Sequence, residues 1–326
     1  MSITNSKPVF FTGQVRSGGT LLTRIFDQSN ELKVAYDTIH YMRFSFKNYH
    51  PLEKNYSQLL IEMNERLNKR WDLFINIEEI KDHISKYSKV TEAIVYDCIM
   101  RSFLRISNNY GIRWGDRTAL RWEGIKPFLK MFPQGKAIIN YRDPRAILAS
   151  YKRSTYLPEP MYLDVIFSSL ALFNYISSLD KISKNIHLIK YEDLIENPQF
   201  IIKKASQFLE IDYKDEMLNV AQFKDFKGQK FNTDSSFTSQ KENIDKSSRD
   251  LWKNNLSNIE IYFTEMILKD HMVSLGFNLS EINLNQKEIT EFKKLLDNKY
   301  INKRILYWKK NGNGQENYPD KIGAYD

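Results

Sequence analysis

The stretch Lys7 to Phe26, KPVFFTGQVRSGGTLLTRIF, constrains the fold more than any other part of the chain. Pro8 to Thr12 is a short apolar, β-prone run of the kind that becomes a buried parallel strand. It stops at Gly13. The pair Gly18-Gly19 follows, and Leu21, Leu22, Ile25 and Phe26 then recur at helical spacing. Strand, glycine-bearing loop and helix together aim unpaired backbone N–H groups and a helix N-terminus at an anion. An ordinary strand-to-helix turn with glycines reads the same way, so the loop needs support from elsewhere in the chain.

The spacing Gly13-x4-Gly18-Gly19-Thr20 nearly reproduces the nucleoside-triphosphate loop G-x4-G-K-[ST]. The lysine that reaches the β- and γ-phosphates is replaced by Gly19, and a cation, Arg16, sits inside the loop instead. That exchange suits a ligand with a 5′-phosphate and no γ-phosphate.

A chain of 326 residues is long enough for one large α/β domain or two smaller ones. Its 42% apolar and 27% charged residues read as a soluble globular protein. The one cysteine, Cys98, excludes an intrachain disulfide and a cysteine-rich zinc site, which fits a reducing compartment. No basic segment followed by an apolar stretch opens the chain and no run of about 18 apolar residues occurs, so a cytoplasmic location without a transmembrane segment is expected. The net charge of +8 favours an anionic ligand or surface, but no nucleic-acid-binding signature accompanies it.

Further along, Glu31 to Tyr36 is a strand candidate running into Asp37-Thr38-Ile39-His40. In an open parallel sheet the loops beyond the strand ends line the ligand crevice, so Asp37 and His40 stand where a proton acceptor would be useful, although a turn-forming aspartate and a structural histidine fit the same positions. Residues 41–90 carry many aromatics and charges with helical stretches such as Leu59, Leu60, Met63 and Leu67, and are expected to form a helical cap, with another amphipathic helix over 91–109. An extended stretch, Tyr110 to Arg113, is expected to end in a loop at Trp114-Gly115-Asp116-Arg117-Thr118, where Arg117 either faces a negatively charged transferring group or belongs with Asp116 to a surface turn. Lys136 to Tyr141 is strand-like, and Asp143 and Pro144 are a good N-cap and first residue for the helix behind it. Arg142 for a bidentate grip and Ser150, eight residues on, for a further donor are what a phosphate needs, although a capped helix with a surface arginine reads the same way. A helix over Leu163 to Leu179, a strand over Asn185 to Tyr191 and a helix opened by Asn197-Pro198 continue the alternation. This order argues for an α/β fold: a mostly parallel sheet with helices on both faces. Residues 224–250 read as a long polar loop, Ser257 to Glu260 as a capping box for a helix closed by Gly276, and Gln286 to Lys310 as one basic, aromatic helix. That last helix either docks on the core or touches a partner or an anionic membrane surface.

These pieces in this order resemble the sulfotransferases that use 3′-phosphoadenosine 5′-phosphosulfate (PAPS), over about Val9 to Phe277. Phe11 to Leu22 resembles the family's 5′-phosphosulfate loop, Tyr141-Arg142-Asp143-Pro144-Arg145-Ala146 with Ser150 its 3′-phosphate motif, Tyr191-Glu192-Asp193-Leu194 its YEDL strand end, and Trp252-Lys253-Asn254 its WK element. The resemblance implies a three-layer, P-loop-like fold: one domain over 1–280, with a helical cap inserted at 41–110 and a helical extension over 281–326. It also implies that Arg16, Ser17, Gly18, Gly19, Thr20, Leu21, Arg142, Ser150, Tyr191, Trp252 and Lys253 hold PAPS and its product PAP, and that Arg117 replaces a lysine near the sulfuryl group. Two features depart from the pattern. Gly19 stands where many members carry threonine or lysine, and the basic RKG segment of the cytosolic eukaryotic enzymes is absent, Ser247-Ser248-Arg249 lying near its place.

Sulfuryl transfer to a hydroxyl or amine, on a glycan or small metabolite, makes demands like those of phosphoryl transfer: align both partners, then neutralise charge on the leaving phosphate. Asp37 is the first choice for a base by position and His40 the second, with no metal expected. The rivals are a P-loop kinase, which would need a lysine at position 19, and a catalytically silent nucleotide-binding protein of the same fold.

Overall fold

The computed structural model describes residues 6–153, 162–179, 184–230, 244 and 246–311. Five strands, β1 (Val9–Gly13), β2 (Leu32–Tyr36), β3 (Arg113–Arg117), β4 (Lys136–Tyr141) and β5 (Ile186–Lys190), form a parallel sheet in the order β2-β3-β1-β4-β5. The first strand is central, with β3 on one side and β4 on the other. The loops leaving β1, β3 and β4 therefore open side by side at the carboxyl edge, where such sheets place their ligands.

Alternation along β1 divides the interior into two layers. Phe10 points into one core with Ala35, Trp114, Ile139 and Phe128, whereas Val9 and Phe11 point into the other with Leu22, Val34 and Ile138. Because both faces are covered, these strands read as continuous apolar runs. Helix α1 (Gly19–Asp27) packs on the second face. Helices α2 (Tyr41–Phe44), α3 (Leu52–Trp71), α4 (Ile77–Ser85) and α5 (Glu92–Phe103) follow β2, and their apolar residues join the first core. α5 is buried along nearly its whole length rather than on one stripe. Beyond β3 come α6 (Ile125–Met131), α7 (Pro144–Lys152) after β4, and α8 (Tyr162–Ser178). β5 runs straight into α9 (Tyr191–Glu196), then α10 (Pro198–Leu209), α11 (Trp252–Asn255) and α12 (Asn258–Ser274), with α13 (Gln286–Leu296) and α14 (Lys299–Asn311) last.

Local signals place several ends as expected. Asp143 accepts the Arg145 N–H ahead of Pro144, and both bonds of the Ser257–Glu260 capping box are made. Two expectations need correction. The third strand is Arg113–Arg117 itself, not Tyr110 to Arg113; Trp114 and Asp116 are fully buried because β3 lies inside the sheet rather than beyond its edge. The C-terminal segment is two helices, since the Asn298 side chain accepts the N–H groups of Tyr300 and Ile301 and starts a new helix there. The expected long loop lies partly outside the described residues, as do Asn232 to Ser236; its described part includes a 3₁₀ turn at Lys246–Arg249. Among the described residues no helix is long and apolar enough to cross a membrane.

Candidate active site

The loop leaving β1 is locked from below. Ser17 Oγ donates to the Gln14 carbonyl at 2.5 Å, and Asn140 Nδ2, on neighbouring β4, donates to the Ser17 carbonyl at 3.1 Å. The Ser17 hydroxyl thus braces the shape of the loop. Gly18, the N-cap of α1, has φ 83°, and a Cβ there would lie 2.2 Å from the Tyr191 ring. Both the backbone conformation and the close approach demand glycine.

Arg16, inside this loop, donates from Nε to Ser150 Oγ at 3.0 Å. Burial lowers the pKa of its guanidinium, and nearby Arg142 pushes in the same direction. Arg142, just beyond β4, donates from Nη1 to the Arg16 carbonyl at 2.9 Å and from Nη2 to the Ser248 carbonyl at 2.7 Å. Its guanidinium lies 4.2 Å from the centre of the Tyr191 ring, and its Nε is buried with no hydrogen-bond partner. The Tyr191 hydroxyl shares a 2.9 Å hydrogen bond with Ser248 Oγ. Arg16, Ser150, Arg142, Tyr191 and the glycine loop thus meet at one place, although they come from three different strand ends.

Trp252 and Lys253 stand one step away. The Trp252 ring packs 3.9 Å from the Arg145 guanidinium, which pairs with Asp143 and Glu265. Lys253 is exposed and pairs with Asp250 at 2.8 Å.

On the other flank, Arg117 closes β3 and its Nη1 is ion-paired with Asp37 Oδ2. Asp37 and His40 both sit in the left-handed backbone region, which turns the chain sharply out of β2. His40 is buried, and its Nδ1 has no hydrogen-bond partner. Burial holds the imidazole pKa well below its ordinary value, and Arg66, Arg43 and Arg117 add to the effect, so His40 is neutral at pH 7. Asp116, beside Arg117 on β3, accepts from the Tyr96 hydroxyl at 2.5 Å, and burial raises its pKa to about 7.

Sequence reasoning missed the cross-braces of this flank. Arg66, on α3, donates to the Thr38 and Ile39 carbonyls at 2.7 and 2.6 Å, and Arg43 donates to the Ala119 carbonyl. A signal for Arg66 was present: it interrupts the apolar face Leu59, Leu60, Met63, Leu67. No comparable pattern marks Arg43 or Asn140.

A sulfotransferase family model matches residues 8–215. Two solved structures superpose over 84% of this chain: the sulfotransferase domain from the curacin biosynthetic pathway, with TM-score 0.54, 18% identity and 99% of that domain covered, and the sulfotransferase domain from the Synechococcus PCC 7002 olefin synthase, with TM-score 0.55, 16% identity and 97% covered. A mouse sulfotransferase solved in complex with PAP superposes more loosely, with TM-score 0.45, 16% identity, and 82% of this chain and 85% of that one covered. A search of curated protein sequences returns no match.

Proposed function

Since this chain belongs to the sulfotransferase family, we propose that its sulfuryl donor is PAPS and its acceptor a hydroxyl or amine of a small molecule or glycan. The observation that carries this reading is the convergence of Arg16 and Arg142, joined at 2.9 Å, beside the start of α1. Two cations at one end of a helix-terminus anion site suit an adenylate with phosphate groups at both its 3′ and 5′ positions. The residues present fit that ligand. The buried, unpartnered Arg142 Nε supports an oxyanion beside it, and Ser150, held against Arg16, supplies a hydroxyl there.

The donor supplies an activated sulfur–oxygen bond, whose cleavage leaves PAP as the acceptor oxygen or nitrogen bonds to sulfur. The backbone N–H groups of Gly18, Gly19, Thr20 and Leu21, with Arg16, would hold the 5′ end and neutralise charge on the leaving phosphate. Arg142 and Ser150 would hold the 3′-phosphate, with Tyr191 packed beneath the Arg142 guanidinium. Trp252 supports this grip through Arg145. Arg117 lies at the sulfuryl end, and the acceptor's proton leaves to a group at the turn after β2, where Asp37 and His40 sit. Residues 1–280 act as one domain with the cap at 41–110 shaping the acceptor site, and 281–326 extend it.

Calorimetric titration with PAP and with ATP tests the donor. Tight PAP and weak ATP are expected, and the reverse order overturns the reading in favour of a kinase. A screen of acceptors with labelled PAPS then separates an enzyme from a silent binder.

A further inference from the structure

The Arg117 guanidinium has one edge committed and one edge open. Nη1 is ion-paired with Asp37, and the Asp37 N–H donates to the Arg117 carbonyl at 3.3 Å, so side chain and backbone both tie the β2 turn to the end of β3. The other edge lies against Gly19, the first residue of the nine-residue helix α1. A Cβ at Gly19 would come within 2.3 Å of Arg117 Nε and 2.4 Å of Nη2. The Arg117 side chain is only 5% exposed, and its Nε is buried with no hydrogen-bond partner. An unpaired N–H beside a helix N-terminus is a place built for an oxyanion, since one oxygen satisfies both. The Nε–Nη2 edge is also the fork by which arginine grips an anion with two parallel bonds.

We propose that Asp37 is a positioning residue for Arg117. It holds one side of the guanidinium so that the Nε–Nη2 edge meets a sulfuryl oxygen of the donor at the start of α1. Gly19 leaves the room this requires. Position 19 is where nucleoside-triphosphate loops place their lysine; here the cation arrives from β3 and fills that space, so Gly19 and Arg117 form one exchange rather than two unrelated substitutions. Asp37 then serves the donor, and its loss is felt before any acceptor binds. This assignment rests on the PAPS reading above.

The test is calorimetric titration of PAP and of PAPS without acceptor, using the full chain, Asp37→Asn, Gly19→Ala, Arg117→Ala and the Asp37→Asn/Arg117→Ala double variant. Melting curves check that each is folded. PAP lacks the sulfuryl group, so Asp37→Asn, Arg117→Ala and the double variant should bind it within about twofold of the wild type, whereas PAPS should weaken roughly 10- to 100-fold in both of those single variants, the range of a charge-assisted hydrogen bond. Gly19→Ala also alters the loop that holds the 5′ end, so it is read only through its PAPS-to-PAP ratio, which should fall by about 10-fold. The double variant should bind PAPS no more weakly than Arg117→Ala alone, because the two residues act as one unit. A wild-type PAPS-to-PAP ratio in Asp37→Asn overturns the proposal and returns Asp37 to proton removal; additive losses in the double variant also overturn it. Should Asp37→Asn fail to fold, Gly19→Ala displaces the same guanidinium without touching the carboxylate, and an unchanged ratio there is equally fatal. Failure of the wild type to bind PAP at all overturns the donor reading itself and is recognisable as such.

Discussion

Arg142 donates from Nη1 to the backbone carbonyl of Arg16 at 2.9 Å, joining the turn after β4 to the glycine loop after β1. Loop shape and ligand grip are thereby made by the same side chain. Its Nη2 is held by the Ser248 carbonyl, while Nε is left buried and unpartnered. The guanidinium is thus fixed in place before a ligand arrives, which reduces the ordering cost of binding.

Arg142→Ala should weaken PAP by roughly 10- to 100-fold, the worth of charge-assisted hydrogen bonds to a phosphate. Adenosine 5′-phosphosulfate, which has no 3′-phosphate, should lose far less. Parallel calorimetric titrations measure both, and equal losses would mean that Arg142 acts only on loop shape.

Ser150→Ala removes the acceptor that holds Arg16 Nε at 3.0 Å. A hydrogen bond with one charged partner contributes about 1.5–3 kcal/mol, so PAP affinity should fall by roughly 10-fold or more, in the range of the Arg142→Ala effect. An unchanged PAP affinity would mean that Ser150 neither orients Arg16 for the ligand nor touches the 3′-phosphate.

Gly18→Ala should be among the most damaging single-methyl changes in the chain. The added carbon would lie 2.2 Å from the Tyr191 ring, on a backbone at φ 83°. Left-handed strain alone costs roughly 1–2 kcal/mol; displacement of Tyr191 also disturbs the ring under Arg142. Thermal melting and PAP titration should both register the change.

His40 should give the stability of the protein a pH dependence. Its pKa is lowered in the folded state from an ordinary value of 6.5, so below that pH the unfolded chain binds the extra proton. Its contribution is complete above about pH 6.5 and is lost as pH falls toward the folded value, with a slope of up to ~1.4 kcal/mol per pH unit. Denaturant unfolding at pH 7.5 and 5.5 should show the wild type losing more stability between the two than His40→Gln. Asp116 acts in the opposite sense, since its pKa is raised to about 7 and its neutral form is favoured by the fold. The His40 effect is therefore read as the difference between variant and wild type, not from the wild-type slope alone.

What the sequence determined by itself is local. The β1 loop and α1, the Asp143–Pro144 start of α7 and the capping box of α12 depend on neighbours a few residues apart, and each is visible as a spacing. Alternating strands and helices likewise specify a parallel sheet covered on both faces. Arg16, Arg142 and Ser150 were legible for the same reason: each belongs to, or follows, a turn of recognisable chemistry.

The tertiary structure alone decided which distant residues share a charge or a space. β3 was placed too early because a strand interior to the sheet may carry Asp116 and Arg117 once partners such as Tyr96 and Asp37 receive them, and periodicity is silent about such partners. Nor does any spacing connect Gly19 with Arg117 across the sheet, Asn140 with Ser17, or Arg66 with the carbonyls of Thr38 and Ile39. These relationships exist because strand order brings separate segments together at one edge, and that order is a property of the whole packed chain.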